Sequence, residues 1–270
     1  MNNMRLENAK VIEHKQFRND YRLLVLECPG VGLAAKPGQF VHLRIPGQEP
    51  FILRRPFSIF KADDRTITLL YKKIGRGTTA MESIRDGDLI SLLGPLGNGF
   101  PLDRKGIFPV VVGGGYGVAA MYLLAKQFPQ PGAVFIGGRK ADDILCVGDF
   151  EAMKWQVHLS TEDGSAGSKG LVTELLESWF AGDGAGRNVE IFACGPDGML
   201  KAVTRQAEKR GLKAWISLDT HMGCGVGVCL ACVCKTRDEK GNEQWGRVCK
   251  EGPVFECRRI VWSDDVPTKA

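Results

Sequence analysis

Nine cysteines stand in this 270-residue chain, and five of them crowd between positions 224 and 249. Cys224, Cys229 and Cys232 follow a C-x4-C-x2-C spacing, and Cys249 comes after sixteen intervening residues. Four thiolates hold a [2Fe-2S] cluster with this spacing, a short loop presenting three sulfurs and a separate segment bringing the fourth. Gly225 and Gly227 suit such a loop, because glycine accepts positive φ and lets backbone N–H groups approach the sulfurs. Structural zinc more often uses two paired C-x2-C knuckles, and only one such pair fits here. A chance group of core cysteines ranks below both. Cys234 and Cys257 compete for the fourth position. Cys234 lies on a strand-like stretch two residues past Cys232, where it faces the same way but would crowd the cluster. Cys249 sits in a turn-rich return at 247–253, behind a charged hairpin tip at 238–242, and is the favoured ligand.

Three further groups of residues carry chemistry. In Arg55-Pro56-Phe57-Ser58, an arginine at a strand end can grip a pyrophosphate with its planar fork, and the serine can hydrogen-bond a planar ring beside Phe57. By itself this pattern is weak, and a plain surface arginine is its ordinary explanation. Thr79 with Glu82 reads as a capping box that starts a helix, placing Gly77 and Thr78 just ahead of an N-terminus whose free N–H groups favour phosphate. An ordinary turn before a helix explains them equally well. Finally, the apolar run 107–112 ends in Gly113-Gly114-Gly115-Tyr116-Gly117, and a later strand ends in Cys194-Gly195-Pro196-Asp197. Glycines at a strand-to-helix turn point to a nicotinamide dinucleotide, although the spacing departs from G-x-G-x-x-G. Arg139, at the end of the next strand, stands where an acidic residue would hold a ribose hydroxyl, so NAD and NADP both stay open. Cys194 could border a nicotinamide or be a small buried hydrophobe.

The elements that must position these groups change character along the chain. Residues 1–100 read as short strands with turn signals between them, at 11–26, 40–45, 66–71 and 88–93, which predicts a small antiparallel barrel. Within 40–45, Val41, Leu43 and Ile45 face one way, while His42 and Arg44 face the other, towards solvent. From about residue 104 strands and helices alternate: strands at 107–112, 133–136, 156–159 and 189–193, helices at 118–128, 171–180 and 200–210. That alternation predicts a doubly wound parallel sheet with its ligand beyond the carboxyl ends of the strands. Residues 215–219 read as a strand leading into the cysteine loop, and the tail 255–261 as packing on the cluster module. His158 and His221 are taken as structural. The expected division is 1–103, 104–212 and 213–270.

The totals fit a multidomain globular protein: 44% apolar residues, 25% charged and a net charge of +5. No Lys/Arg block suggests nucleic acid, no apolar run is long enough to span a membrane, and the start has no signal-peptide core. An odd number of clustered cysteines favours metal ligation in a reducing cytoplasm over a disulfide framework.

The order of barrel, dinucleotide fold and cysteine module resembles the ferredoxin-reductase superfamily. Within it, the stretches at 53–59, 75–78, 113–118, 193–200, 221–232 and 247–255 are similar to those of the electron-transfer subunits of type B dihydroorotate dehydrogenases. The resemblance covers essentially the whole chain. It implies FAD contacts at Arg55, Pro56, Phe57 and Ser58, at Leu70, Tyr71 and Lys72, and at Gly77 and Thr78. It implies cluster ligation by Cys224, Cys229, Cys232 and Cys249, with no ligand role for Cys234 or Cys257. It also implies NAD as terminal acceptor, and an FMN-containing partner that oxidises dihydroorotate, in a heterotetramer with two of each subunit serving pyrimidine biosynthesis. The rival expectations are a reductase subunit working between NAD(P)H and ferredoxin or a sulfur substrate, and a redox-sensing or zinc-structured module without turnover.

Overall fold

The computed structural model describes residues 4–46, 53–103 and 105–262. The first region contains β1 (Arg5–Arg18), β2 (Tyr21–Glu27), α1 (Pro29–Gly32), β3 (Phe40–Leu43), β4 (Arg55–Ser58), β5 (Lys61–Ala62), β6 (Thr66–Lys72), α2 (Arg76–Ala80) and β7 (Leu89–Leu96). The apolar stretch at 11–26 is a hairpin and not one strand. Asn19 turns it with φ 43, a left-handed conformation that asparagine tolerates. These strands form an antiparallel sheet in the order β4-β3-β7-β1-β2-β6-β5, curled around Leu24, Leu26, Val41, Leu43, Ile67, Leu69, Ile90 and Leu92. Among the described residues β4 pairs only with β3, and β5 covers only Ile67 and Thr68 of β6. The barrel is therefore open between β4 and the far end of β6.

The helix expected to begin at Thr79 begins at Arg76. The hydroxyl of Thr78, and not Thr79, accepts from the N–H groups of Ile74 and Gly75 at 3.0 and 3.1 Å. Glu82 takes no part in a cap, because Arg22 and Lys73 both pair with its carboxylate.

The second region contains β8 (Phe108–Gly114), α3 (Tyr122–Ala125), β9 (Ala133–Gly138), α4 (Val147–Ala152), β10 (Gln156–Thr161), β11 (Ser168–Lys169), α5 (Val172–Ala181), β12 (Val189–Cys194), α6 (Asp197–Arg210) and β13 (Lys213–Ser217). The helix expected over 118–128 is a 3-10 segment, Gly115–Met121, followed by the single turn of α3. Within it Gly117 presses against the Cys194 backbone, while Gly115 is open.

The last region adds the hairpin β14 (Val233–Arg237) and β15 (Glu243–Arg247), then β16 (Val254–Glu256). The second sheet runs β11-β10-β9-β8-β12-β13-β16, with parallel pairing everywhere except the antiparallel β16. β13 and β16 flank the cysteine loop in sequence yet hydrogen-bond into this sheet. The tail packs on both neighbours, since Ile260 also bridges to Thr236 of the hairpin. Among the described residues no helix is long and apolar enough to cross a membrane.

Barrel and sheet are joined at a buried carboxylate. Asp143 accepts from the Tyr21 hydroxyl at 2.6 Å and pairs with Lys72 Nζ at 2.9 Å. Burial raises the Asp143 pKa, but Tyr21 and Lys72 outweigh it and hold the carboxyl below its ordinary range. The stabilisation is thus present at neutral pH and is lost as acid protonates the native carboxylate. Asp143→Ala leaves the buried Tyr21 hydroxyl and the half-buried Lys72 ammonium without this partner, so a loss of about 1–3 kcal/mol is expected. Thermal unfolding at pH 7 checks this, and the gap between variant and parent should narrow as the pH falls below the ordinary carboxylate range.

Candidate functional site

The cysteine loop is shaped by backbone that turns inward. Gly225 and Gly227 adopt φ of +71 and +84, and Leu230 also lies in the left-handed region at φ 59. The N–H groups of Val226, Val228 and Cys229 consequently point at Cys224 Sγ, at 3.5, 3.3 and 3.4 Å, and the N–H of Cys224 points at Cys229 Sγ at 3.3 Å. Burial opposes ionisation of Cys224, but this fan of donors prevails and pulls the thiol down to about 6. On the far side Cys249 N–H reaches Cys232 Sγ at 3.4 Å. The thiols therefore stand as two pairs, Cys224 with Cys229 and Cys232 with Cys249. Each iron of a two-iron, two-sulfide cluster needs two thiolates, so this division fits the group. Among the described residues no three His, Cys, Asp or Glu side chains converge as they would on a single ion. Cys234 stands opposite Gly246 in the hairpin, and Cys257 is sealed in the core. Burial pushes their thiols up to about 11 and about 12.

The return turn is held to the loop and the barrel. Arg247 pairs with Glu251 and donates to the Gly227 carbonyl at 2.9 Å. Asn98, at the end of the barrel, receives the turn through its N–H to Gly252 O and its amide to Lys250 O and Glu251 O.

His42 overturns its expected exposure. The side of β3 that carries Phe40 and His42 does face away from the barrel core, but the cysteine module covers it, and His42 is 0% exposed. Its ring lies 5.6 Å from that of Phe40, with Gly225 over its face at Nδ1, Cε1 and Nε2. A β-carbon on Gly225 would come within 2.6–2.9 Å of those three atoms. Burial, then the Arg54 and Arg55 charges, push the imidazole down to about 4, so it is neutral at pH 7. Neither ring nitrogen has a hydrogen-bond partner among the described residues. An unsatisfied buried polar group costs about 1–3 kcal/mol. Nothing in the sequence pattern of β3 marked this residue, since its burial comes from the other module.

β4 and β6 stand across a gap in the barrel, with no ladder between them among the described residues. Phe57 meets Tyr71 edge-on across it, with ring centroids 5.7 Å apart. Arg55, Pro56 and Phe57 are half-buried and Ser58 is exposed along one side. On the other side the Leu70 side chain is buried, Tyr71 bonds its hydroxyl to His14 Nε2 at 2.8 Å, and Lys72 is turned to Asp143. The main chain of Leu70–Lys72 pairs with β2 along one edge of β6, and β5 does not cover its other edge. Gly77 lies beneath Arg55, where a β-carbon would sit 3.3 Å from Arg55 Nε, and Thr78 stands next to it. The guanidinium and the first turn of α2 so converge, as a pyrophosphate requires.

The third site is the crevice between β8 and β12, where strand order reverses. Its two loops interlock backbone to backbone. A β-carbon on Gly117 would lie 2.5 Å from the Cys194 carbonyl oxygen, and one on Gly195 would lie 3.0 Å from Gly114. One on Gly114 would strike Pro196, while one on Gly113 would strike Val118. Gly115 is open, with φ +54. The glycines absent from the G-x-G-x-x-G positions are thus replaced by ones that let two loops touch. Arg139 is exposed beyond β9, and Asp197 opens α6. Cys194 is buried, and burial together with the Asp219 charge pushes its thiol up to about 12. Tyr116 donates to Asp219 Oδ2 at 3.2 Å. Asp219 reaches solvent at the mouth, yet protein surrounds it enough that burial raises its carboxyl pKa against the opposing Tyr116 and His221. Sequence motifs missed this carboxylate.

Gly117→Ala must force the Cys194 backbone away, and overpacking of this kind costs about 1–3 kcal/mol. Gly198 has nothing within 4 Å of a β-carbon. Thermal unfolding is expected to show a clear loss for Gly117→Ala and almost none for Gly198→Ala.

Residues 219–261 match the family described as the iron–sulfur cluster binding domain of dihydroorotate dehydrogenase B. The chain is 37% identical over 268 residues to the dihydroorotate dehydrogenase B (NAD(+)) electron transfer subunit of Geobacillus sp. (strain WCH70), covering 96% of this chain and 99% of that one. Identity to the subunit of the same name from Bacillus cereus (strain B4264) is 34% over 265 residues, with the same coverage. Among solved structures, an NADH-dependent reduced ferredoxin-NADP oxidoreductase studied for flavin-based electron bifurcation superposes with a TM-score of 0.83 at 27% identity, covering 95% of this chain and 90% of that one. An Amycolatopsis cytochrome P450 reductase gives 0.66 at 25% identity, with 78% and 67% covered. By identity and by coverage, the chain belongs to the family of dihydroorotate dehydrogenase B (NAD+) electron transfer subunits.

Proposed function

We propose that this chain carries electrons from an FMN-containing catalytic partner, which oxidises dihydroorotate, through a [2Fe-2S] cluster and FAD to NAD+, within cytoplasmic pyrimidine biosynthesis. The observation that carries the proposal is the pairing of four thiols on a loop seated against the barrel strand β3. Residues 1–103 hold FAD, residues 104–212 hold NAD, and residues 213–270 hold the cluster while lending β13 and β16 to the central sheet.

When bound, FAD supplies the exchange between single electrons and a hydride. The chain's own residues bind and orient. Cys224, Cys229, Cys232 and Cys249 ligate the irons, and the N–H fan around Cys224 favours its thiolate. Arg55, with Gly77 and Thr78, grips the pyrophosphate. Phe57, Ser58 and the main chain of Leu70, Tyr71 and Lys72 line the flavin ring. Gly113, Gly114, Gly115, Gly117, Cys194, Gly195, Pro196 and Asp197 shape the NAD crevice, with Arg139 at its outer end. Val228 and Leu230, 77% and 60% exposed at the loop tip, supply an apolar surface for the partner. The assembly is a heterotetramer with two copies of each subunit.

A second reading, a subunit serving NADPH and ferredoxin, draws support from the likeness to the ferredoxin-NADP oxidoreductase. Co-purification separates the two: an FMN partner active on dihydroorotate supports the first, a large flavin and iron–sulfur partner the second.

Cys229→Ser is expected to abolish dihydroorotate-dependent NAD reduction in the complex, while the partner still reduces an artificial acceptor. Full NAD reduction by this variant would refute the route. Arg55→Ala removes charge-assisted hydrogen bonds worth about 1.5–3 kcal/mol, so FAD should bind roughly 10–100-fold more weakly in equilibrium dialysis.

A further inference from the structure

His42 is buried, neutral and without a hydrogen-bond partner among the described residues, and it lies against the cysteine loop. A neutral imidazole has one N–H to donate and one nitrogen to accept. Buried nitrogens in folded proteins nearly always find partners, so an orphaned ring edge at a cofactor site indicates a partner outside the chain. The place of the ring selects which one. Gly225, the residue next to Cys224, covers the face of the ring over Nδ1, Cε1 and Nε2, so both ring nitrogens stand at the cysteine loop. The flavin slot is bordered by β4, whereas the His42 ring stands on the outer face of β3, towards the loop.

We propose that His42 is a positioning residue for the cluster: a ring N–H donates to a sulfur of the [2Fe-2S] group held by the Cys224 loop. This rests on the cysteine assignment above and goes beyond it. Hydrogen bonds to cluster sulfur stabilise the more negative, reduced state and so raise the potential. The histidine thereby helps the cluster accept an electron, and it links the face of the barrel strand β3 to the cluster. Phe40 on one side and Gly225 on the other hold the ring in place, which is why a β-carbon at 225 cannot be accommodated.

The test uses the complete complex with its catalytic partner, prepared without oxygen, carrying the parent chain, His42→Phe or His42→Gln. Iron analysis and the EPR signal of the reduced cluster first establish that the cluster is present. Its absence from the parent would refute the cysteine assignment itself. With the cluster present, potentiometric titration is expected to show His42→Phe disfavouring reduction roughly tenfold, about 59 mV more negative for one electron. His42→Gln, which keeps an N–H donor, should fall nearer the parent. The flavin potentials should not move. An unchanged cluster potential in His42→Phe, or a shift confined to a flavin, overturns the proposal. Should His42→Phe fail to assemble, the parent decides through pulsed EPR of the reduced cluster with 15N-labelled histidine. A weakly coupled histidine nitrogen that disappears in His42→Gln is expected, and no such coupling, or one that persists in His42→Gln, overturns the proposal.

Discussion

The close approach of the Gly225 backbone to the His42 ring seats the cysteine loop on the outer face of the barrel. Everything the loop does depends on that seat. It sets the depth of the Cys224 and Cys229 pair at the surface, and it leaves the Cys232 and Cys249 pair within the apolar cluster that Phe40, Val248 and Phe255 also join. Arg247 and Asn98 then lock the return turn from the other side. The loop is thus clamped between barrel and sheet, so its distance from the flavin slot is set by packed protein and not by a tether. Electron transfer asks for this kind of fixed spacing, while the cofactors carry the chemistry.

The same device recurs at the nucleotide crevice. There Gly117 and Gly195 let the turns after β8 and β12 touch through their main chains, which fixes the crevice where the strand order reverses. Around it, Cys194, Tyr116 and Asp219 gather at the carboxyl edge. Glycine at these positions serves contact between protein segments as much as contact with a ligand. That accounts for a spacing that fits no dinucleotide fingerprint although the fold is of the dinucleotide type.

Much of this was legible in the residue order, and the limits have physical causes. Thiolate spacing is dictated by the size of a cluster, so the cysteines could be singled out without a structure. Strand and helix periods showed the two architectures, because each element buries a regular face. His42 could not be read correctly, since alternation along β3 reports only which side meets the barrel core, and a module some 180 residues later covers the other side. β13 and β16 carry no mark that they join the central sheet and not the cysteine module. The turn of α2 was misplaced because Thr78 and Thr79 are equivalent by composition. The pairing of Glu82 with Lys73 and with Arg22, which is distant in sequence, takes its carboxylate away from the cap. Asp219 escaped notice for a similar reason, because its surroundings include Tyr116 from the 3-10 segment and Cys194 from the end of β12.

The central claim is that four sulfurs of this chain share one two-iron cluster. Iron and acid-labile sulfide, measured on the complex purified without oxygen, test it most directly, together with the EPR spectrum after chemical reduction. The account predicts two irons and two sulfides per chain and a one-electron signal of a reduced [2Fe-2S] centre. Stoichiometric zinc, or iron without sulfide, would contradict it.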